Sequence, residues 1–357
     1  KYNSRLGDEA LRNLRGKSRL KGFYKRCRKK NKGSYFTKMK VVELFGGIGA
    51  IRKAYINSKI PFEIVDYVEI DRNCVKSYNA LYKENYEPRC ICNYSLPPDK
   101  KIDLLMHGSP CQDFSRVGEK LGGKIGSGTR SSLLFETIRI IEEIQDRPRW
   151  VIWENVKGVL DRKMRASFFY YLDEMERLGY ETKYEILNSI NFGIPQKRER
   201  IFAISYLGKN PFKFKNLEHK KTKHLKDFLE RDVMERYGDI FLVKQPSMLK
   251  ILSDPEYKPQ FQGRLQVIKD FCYTISTKQV RVPNSGILDI GNGRYRYLTE
   301  RECFRLMGFE DSDFDKLIKI FPRRKNCMSS ILYKQAGNSI VVNVLEEIVK
   351  EIENCSI

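Results

Sequence analysis

Cys111 follows directly on Pro110 in the stretch MHGSPCQDFS, just past the apolar run IDLLM, where a strand ends and the chain turns out of a sheet. Pro110 stiffens that turn, Ser109 can bond locally, and donor groups at a nearby helix start favour a thiolate, so Cys111 reads as a nucleophile. Further on, VIWENV brings Glu154 and Asn155 out of a second strongly apolar run. Taken alone, Glu154 fits a helix cap or half of an ion pair; beside Cys111 it fits an acid or base. GIPQKRERIF then supplies Arg198 and Arg200 ahead of a further apolar run. Alternate residues of an extended segment point one way, so the two guanidiniums are expected to share a direction. A charge run that feeds straight into an apolar strand favours paired or ligand-bound arginines over free ones.

A second set of residues suits a small-molecule ligand. In ELFGGIGAIRKA, Gly46, Gly47 and Gly49 lie between an apolar run and a helical pattern. Glycines there admit a ligand close to the backbone, and the helix start offers free N–H groups; a tight structural turn is the alternative reading. Glu69, in DYVEID, follows Gly47 by 22 residues. That placement suits an acid that binds ribose hydroxyls. The glycine spacing is not that of a dinucleotide site, so a mononucleoside-like cofactor such as S-adenosylmethionine is expected.

These residues need a scaffold, and the chain from Met39 provides one. Short apolar runs (KVVELF, FEIVDYVEI, KIDLLMHG, RWVIWENV, RIFAISYL) alternate with amphipathic stretches (AIRKAYINS, NCVKSYNALYKENY, SSLLFETIRIIEEIQ, RASFFYYLDEMERLGY). Strand and helix in alternation predict an α/β fold, a parallel sheet covered by helices on both faces, with functional groups at the carboxyl ends of the strands. After Leu207 the rhythm fails: residues 208–300 are rich in Lys, Asn, Gln, Pro and Gly, with one helical piece expected in HLKDFLERDVMERYG and β-like runs such as CYTISTKQVRV. AGNSIVVNVLEEIVKEIEN restores a helical period, with Asn338 and Ser339 expected at its start.

Composition narrows the partners. The 357 residues include 67 Lys and Arg against 45 Asp and Glu, a formal charge of +22, which points to a polyanion and to nucleic acid first. No apolar run approaches the length of a membrane span, and the charged N-terminus offers no secretory signal, so a soluble, cytoplasmic protein with no membrane partner is expected. Nine cysteines without regular spacing and only three histidines argue against a disulfide framework and against a metal site; most of the cysteines read as small buried hydrophobes. Residues 1–38 carry only Asp8 and Glu9 as acids and read as a basic extension, either solvated or an arm for nucleic acid. The chain does not begin with Met, as expected of a trimmed or partial one.

The ordered set ELFGGIGAIRKA, VEID, GSPCQDFS, ENV, GIPQKRERIF, RYLTERECFRLMGF and AGNSIVVNVL resembles the motif series of the C5-cytosine DNA methyltransferases of bacterial and phage type, from Met39 to the C-terminal helix. The resemblance implies a Rossmann-like, S-adenosylmethionine-dependent methyltransferase fold with a smaller, irregular target-recognition domain. The catalytic and cofactor domain would span 39–207, completed by the C-terminal helix 335–357, and the recognition domain 208–334.

It also implies transfer of a methyl group to C5 of a cytosine flipped out of a specific double-stranded DNA sequence, through a covalent adduct between Cys111 and C6. Glu154 would hold the N3 and amino edge, Arg200 would contact O2, and Arg198 would support the DNA backbone or the loop. Cofactor contacts would fall to Phe45 against the adenine, to the Gly47 and Gly49 turn, to Glu69 on the ribose, to Leu133, and to Asn338, Ser339 and Ile340 near the methionine end. The stretch GEKLGGKIGSGTRSS suits a loop that closes over the base.

Two positions depart from the family pattern. Glu43 stands where Asp is usual, and Cys90 falls where the family has the Asp that receives the adenine amino group, so weaker cofactor binding than with an Asp is expected. Lys278, Gln279, Arg281 and Asn284 are candidates for base edges, phosphates or plain surface. A monomer is expected, working with a cognate restriction endonuclease or alone. The competing readings are an RNA C5-cytosine methyltransferase and a catalytically silent nucleic-acid-binding regulator.

Overall fold

The computed structural model describes residues 38–109, 132–162, 164–254, 256–257, 265–324 and 327–356. Cys111, the glycine-rich stretch after it and the basic extension before Lys38 lie outside the described residues. Met39–Ile357 cluster as one compact unit.

Its first half follows the alternating pattern. Strands β1 (Met39–Leu44), β2 (Phe62–Val68), β3 (Leu104–His107) and β4 (Trp150–Val156) are separated by helices α1 (Ala50–Ser58), α2 (Arg72–Tyr82) and α3 (Ser132–Glu143). Helix α4 (Arg165–Arg177) follows, then β5 (Tyr180–Asn188), the two-residue β6 (Gln196–Lys197) and β7 (Glu199–Leu207). The main sheet has six strands in the order β2-β1-β3-β4-β7-β5. The first four are mutually parallel, but β7 runs antiparallel to both β4 and β5, so the sheet is mixed where an all-parallel one was expected. The physical reason is β5, absent from the sequence reading. It enters the outer edge after α4, and the short return through β6 can only bring β7 back between β4 and β5 in the opposite sense. As an edge strand β5 carries Glu181, Lys183 and Glu185, which masks its pattern and guards the open edge.

Two apolar layers enclose the sheet. On one face Ile51, Ala54 and Tyr55 of α1 pack with Val41, Leu104, Ile152 and Phe202, and with Leu345, Ile348 and Ile352 of the C-terminal helix α10 (Val342–Ser356). On the other, Leu134, Ile138 and Ile141 of α3 and Phe168, Tyr171 and Met175 of α4 pack with Val42, Leu105, Val151 and Trp153. Neighbouring residues along each strand thus enter opposite layers, as the pleat requires.

Between β7 and the last helices the chain is irregular. It forms α5 (Val233–Tyr237), α6 (Pro246–Ser253), β8 (Cys272–Tyr273), which pairs with β6, and the hairpin of β9 (Leu288–Asp289) and β10 (Tyr295–Arg296). The helix expected in HLKDFLERDVMERYG reduces to a single turn over Leu225–Phe228 and the five residues of α5. Helices α7 (Glu300–Leu306), α8 (Asp311–Ile320) and α9 (Ser330–Asn338) precede α10. Asn338 therefore closes α9 and does not open the final helix: Ser339 to Val341 break the helical run, and Ser339, in extended conformation, caps α9. Two of the candidate base readers are buried as well. Gln279 bonds Ser276 and Ser285, and Asn284 bonds Gln279 and Gly286, so both hold their own loop together, while Lys278 and Arg281 are exposed.

No helix among the described residues is long and apolar enough to cross a membrane, and none of their His, Cys, Asp and Glu side chains gather in threes that could hold a metal ion.

Candidate active site

The register of the four parallel strands builds the site. Leu44 pairs with Val68 and with His107, and His107 pairs with Trp153. One row across the sheet thus ends β1, β2 and β3, and the next residues, Phe45, Glu69, Gly108 and Glu154, emerge together at one edge. The antiparallel β7 begins at that same edge, with Arg200 opposite Val156 and Phe202 opposite Glu154. Side-chain alternation puts Glu43, Met106, Glu154 and Arg200 on the face covered by α1 and α10.

The turn after β1 is shaped by three residues in the left-handed region. Phe45, Gly47 and Gly49 all have positive φ, at 55°, 54° and 78°. Gly49 has no room for a side chain, because a Cβ there would lie 2.5 Å from the ring of Tyr82 and 2.7 Å from that of Tyr78. The Gly47 N–H donates to Glu69 Oε2 at 3.1 Å, and Ile70 and Asp71 N–H both donate to Oε1 at 2.8 Å, which fixes Glu69 beside the turn.

One cleft collects most of the remaining candidates. It is lined by Phe45, Gly46, Gly47, Met106, Gly108 and Glu154 on the sheet side and by Asn338, Ser339 and Ile340 from the break between α9 and α10. Glu43 lines it too, fully buried, and this position carries an orphaned oxygen. Tyr78 Oη donates to Glu43 Oε1 at 2.8 Å, while Oε2 has no hydrogen-bond partner among the described residues. Burial pushes the Glu43 carboxyl up to about 7, against the pull of Tyr78 and Arg52. An unpartnered carboxylate oxygen beside a glycine turn fits a ligand that brings a cation, as S-adenosylmethionine does with its ammonium and sulfonium groups.

Glu154 pairs with Arg200, Nε to Oε1 at 3.3 Å, both side chains mostly buried. Burial raises the Glu154 carboxyl, opposed by Arg200 and Arg198, and burial lowers the Arg200 guanidinium. Arg198 does not share this direction. It is buried and donates to three backbone carbonyls, Ile275 at 3.0 Å, Gly337 at 3.0 Å and Ser339 at 2.8 Å, and burial with its neighbour Arg200 pushes its pKa down. Gln196 beside it bonds Leu306 O at 2.9 Å and accepts from Ile275 N–H at 3.0 Å. Arg198 and Gln196 therefore stitch the irregular segment and the α9–α10 break onto the sheet edge.

Arg200 and Asn338 to Ile340 thus meet Phe45, Gly47 and Glu154 at one edge. Residues 39–354 match the C-5 cytosine-specific DNA methylase family. The chain belongs to that family.

This methyltransferase is 32% identical over 371 residues to the type II methyltransferase M2.ScrFI of Lactococcus lactis subsp. cremoris, with 88% of this chain and 99% of that one covered. It is 27% identical over 438 residues to the orphan methyltransferase M.SPRI of Bacillus phage SPR, covering 88% and 97%. Its fold is similar to that of the S. pombe Dnmt2 methyltransferase, with a TM-score of 0.69 at 20% identity over 90% of this chain and 100% of that one. It is also similar to that of a putative DNA modification methyltransferase encoded within an E. coli prophage, with a TM-score of 0.60 at 18% identity over 89% and 99%. The methyltransferase therefore has the Rossmann-like fold of its family, and its enzyme class is DNA (cytosine-5-)-methyltransferase.

Some candidates of this methyltransferase stand apart from the cleft. Leu133 is half-buried and packs into the α3–α4 layer. Cys90 caps the short turn Ile91–Asn93 with its sulfur, accepting from Cys92 N–H at 3.4 Å, and its neighbour Arg89 donates N–H to Glu69 O at 2.8 Å. Sequence reasoning passed over the buried groups beneath the site: Tyr78 against Glu43, and His107, Trp153 and Tyr171 under Ser109. The one available signal was a histidine inside an otherwise apolar strand.

Proposed function

We propose that the chain transfers a methyl group from S-adenosylmethionine to C5 of a cytosine flipped out of a specific double-stranded DNA sequence, through a transient bond between Cys111 and C6. The observation that carries the reading is the convergence on one cleft of the Glu154–Arg200 pair, the glycine turn, the orphaned Glu43 oxygen and the Asn338–Ile340 break. It lies at the edge from which Gly108 and Ser109 lead into Pro110 and Cys111.

The cofactor would be held by Phe45, the Gly47 turn, Glu69, Glu43 and Asn338 to Ile340. When bound, S-adenosylmethionine supplies an electrophilic methyl on a positively charged sulfur and leaves as the neutral thioether. The protein's own steps are proton and electron-pair movements on the base. The Cys111 thiolate adds its electron pair to C6, and the C5–C6 pair shifts so that C5 becomes nucleophilic. Glu154, its carboxyl raised by burial, gives a proton or a hydrogen bond to N3 as charge builds there. Arg200, paired with Glu154, would contact O2. After C5 is substituted, its proton passes to solvent, C5=C6 re-forms and the thiolate is expelled. Arg198 acts through the backbone it holds.

Residues 208–334 would supply target recognition. Exposed Lys223, His224, Lys226 and Lys269 surround a groove beside the β6 segment, where a phosphate backbone can be tracked. A monomer in the cytoplasm, working with a cognate restriction endonuclease or alone, completes the reading.

The test is methyl transfer from labelled S-adenosylmethionine to unmethylated DNA and to bulk tRNA, with Cys111→Ser in parallel and bisulfite sequencing of the product DNA. Label in DNA that disappears in Cys111→Ser is the expected result. Label in tRNA alone, or label in DNA that survives the substitution, would overturn it.

A further inference from the structure

Three buried side chains bond Ser109, and a fourth holds one of them from a third element. The Ser109 carbonyl accepts two hydrogen bonds from β4, Trp153 Nε1 at 3.2 Å and Asn155 Nδ2 at 3.0 Å. Its hydroxyl bonds His107 Nδ1 at 3.1 Å, and His107 Nε2 bonds Tyr171 Oη of α4 at 3.2 Å. The imidazole lies parallel to the Trp153 indole, with centroids 5.8 Å apart and planes 8° from coplanar. His107, Ser109 and Tyr171 are wholly excluded from solvent, Trp153 is 1% exposed and Asn155 9%.

Among the described residues no carboxylate bonds this histidine, and burial pushes its pKa down to about 3. A neutral imidazole has one N–H and one lone pair, and here both nitrogens are used; each partner is a hydroxyl that can donate or accept, so either tautomer is served and the two bonds together fix the orientation of the ring. Any buried imidazole needs partners for its nitrogens. This one spends half of its hydrogen bonding on the side chain two residues before Cys111.

We propose that His107 is a positioning residue for the methyl transfer: locked between Tyr171 and Ser109, it sets the backbone from which Pro110 and Cys111 follow. The inference rests on the reading of Cys111 as the nucleophile. Trp153 and Asn155 fix where the Ser109 carbonyl lies, and His107 fixes the rotation of the residue about that point. Attack on C6 demands a narrow approach, and a displacement of about 1 Å at the reacting atom can cost about 100-fold in rate.

The experiment uses the full chain and five proteins: wild type, His107→Phe, His107→Asn, Tyr171→Phe and Cys111→Ser. His107→Phe keeps the stacked ring and loses both hydrogen bonds, whereas the amide of His107→Asn can take the place of Nδ1 against Ser109. The readouts are single-turnover methyl transfer to DNA, the Kd for S-adenosylmethionine by calorimetry, thermal unfolding, and the iodoacetamide alkylation rate of the Cys111 peptide by mass spectrometry. In His107→Phe the transfer rate is expected to fall about 10- to 100-fold and the alkylation rate to change with it, while the Kd stays within about twofold. His107→Asn is expected to recover most of both rates, and Tyr171→Phe to fall between the two.

A transfer rate in His107→Phe equal to wild type overturns the inference, as does an equal loss in the Phe and Asn variants that tracks their unfolding temperatures. Full methyl transfer by Cys111→Ser overturns the nucleophile reading and this inference with it, an outcome the variant shows without reference to His107.

Discussion

Glu43→Gln tests whether the buried carboxylate beside the glycine turn is kept for a ligand at the expense of the fold. In the wild-type protein its Oε1 receives Tyr78 Oη, and Oε2 has no partner among the described residues. Arg52 bonds the Tyr78 hydroxyl at 3.3 Å and Glu84 at 2.7 Å, so Glu43 gains only distant attraction from it. Burial raises the carboxyl from 4.5 to about 7. At roughly 1.4 kcal/mol per pH unit, holding the ionised form costs about 3 kcal/mol.

The sign follows from proton linkage. The folded protein holds this proton more tightly than the unfolded chain, so Glu43 costs nothing below pH 4.5, where both states are protonated. The cost grows as pH rises from 4.5 to about 7 and is complete above that. Gln keeps the acceptor for Tyr78 and removes the charge. Without cofactor, Glu43→Gln should therefore be more stable than wild type by about 2–3 kcal/mol at pH 8.5, or about 3–4 °C in Tm for a chain of this length. At pH 4.5 the two should unfold together.

Calorimetric unfolding at the two pH values measures the difference. Binding should move the other way: S-adenosylmethionine should bind Glu43→Gln about 10- to 100-fold more weakly at pH 8.5, and wild-type affinity should fall as pH drops below about 7. Equal stability of the two proteins at pH 8.5, or the same increment at both pH values, would refute the reasoning.

Glu154→Gln leaves Arg200 buried without its counter-charge. A 10²- to 10⁴-fold (order-of-magnitude) loss of single-turnover methyl transfer is expected, and it should exceed anything a change in unfolding temperature accounts for. Gly337→Ala should loosen the seam held by Arg198, because the new Cβ would lie 2.5 Å from Thr277 N and 2.6 Å from Ser276 C, both backbone atoms. A loss of about 1–3 kcal/mol is expected by thermal unfolding, with weaker S-adenosylmethionine binding at the adjoining Asn338–Ile340 break. Cys90→Asp should tighten S-adenosylmethionine binding by a few-fold in calorimetry, since a carboxylate accepts hydrogen bonds far better than a thiol; unchanged affinity would remove Cys90 from the account of the site.

The parallel half of the sheet was legible because each of its strands is a short apolar run followed by a helix with one apolar face. AIRKAYINS and RWVIWENV became α1 and β4 almost residue for residue. The period failed where burial is one-sided or the chain is irregular. In β5, charged residues at Glu181, Lys183 and Glu185 interrupt the run, so no apolar segment marks it as a strand. HLKDFLERDVMERYG has helical spacing, but Leu225, Phe228 and Val233 reach the core from a turn and a separate five-residue helix. AGNSIVVNVLEEIVKEIEN reads as continuous because the break itself holds Ile340 and Val341, which run on into the apolar period of α10. The interruption shows in the extended Ser339 and in the carbonyls of Gly337 and Ser339, which Arg198 takes.

The missed strand changes how the site itself is understood. With an all-parallel sheet the amino end of the RIFAISYL strand would lie at the far edge from Glu154, and Arg200 could not reach it. The insertion of β5 reverses β7, and the reversal puts Arg200 opposite Val156, two residues along β4 from Glu154 and on the same face. The same reversal carries Gln196 of β6 and Arg198, just ahead of β7, to the edge where α9 ends, and there they bind Ile275, Leu306, Gly337 and Ser339. One topological step, legible only weakly as a charged edge strand, thus delivers the partner of the acid and the anchor of the irregular segment together. Motif spacing records that these residues belong to one site; the antiparallel return is the physical reason they meet.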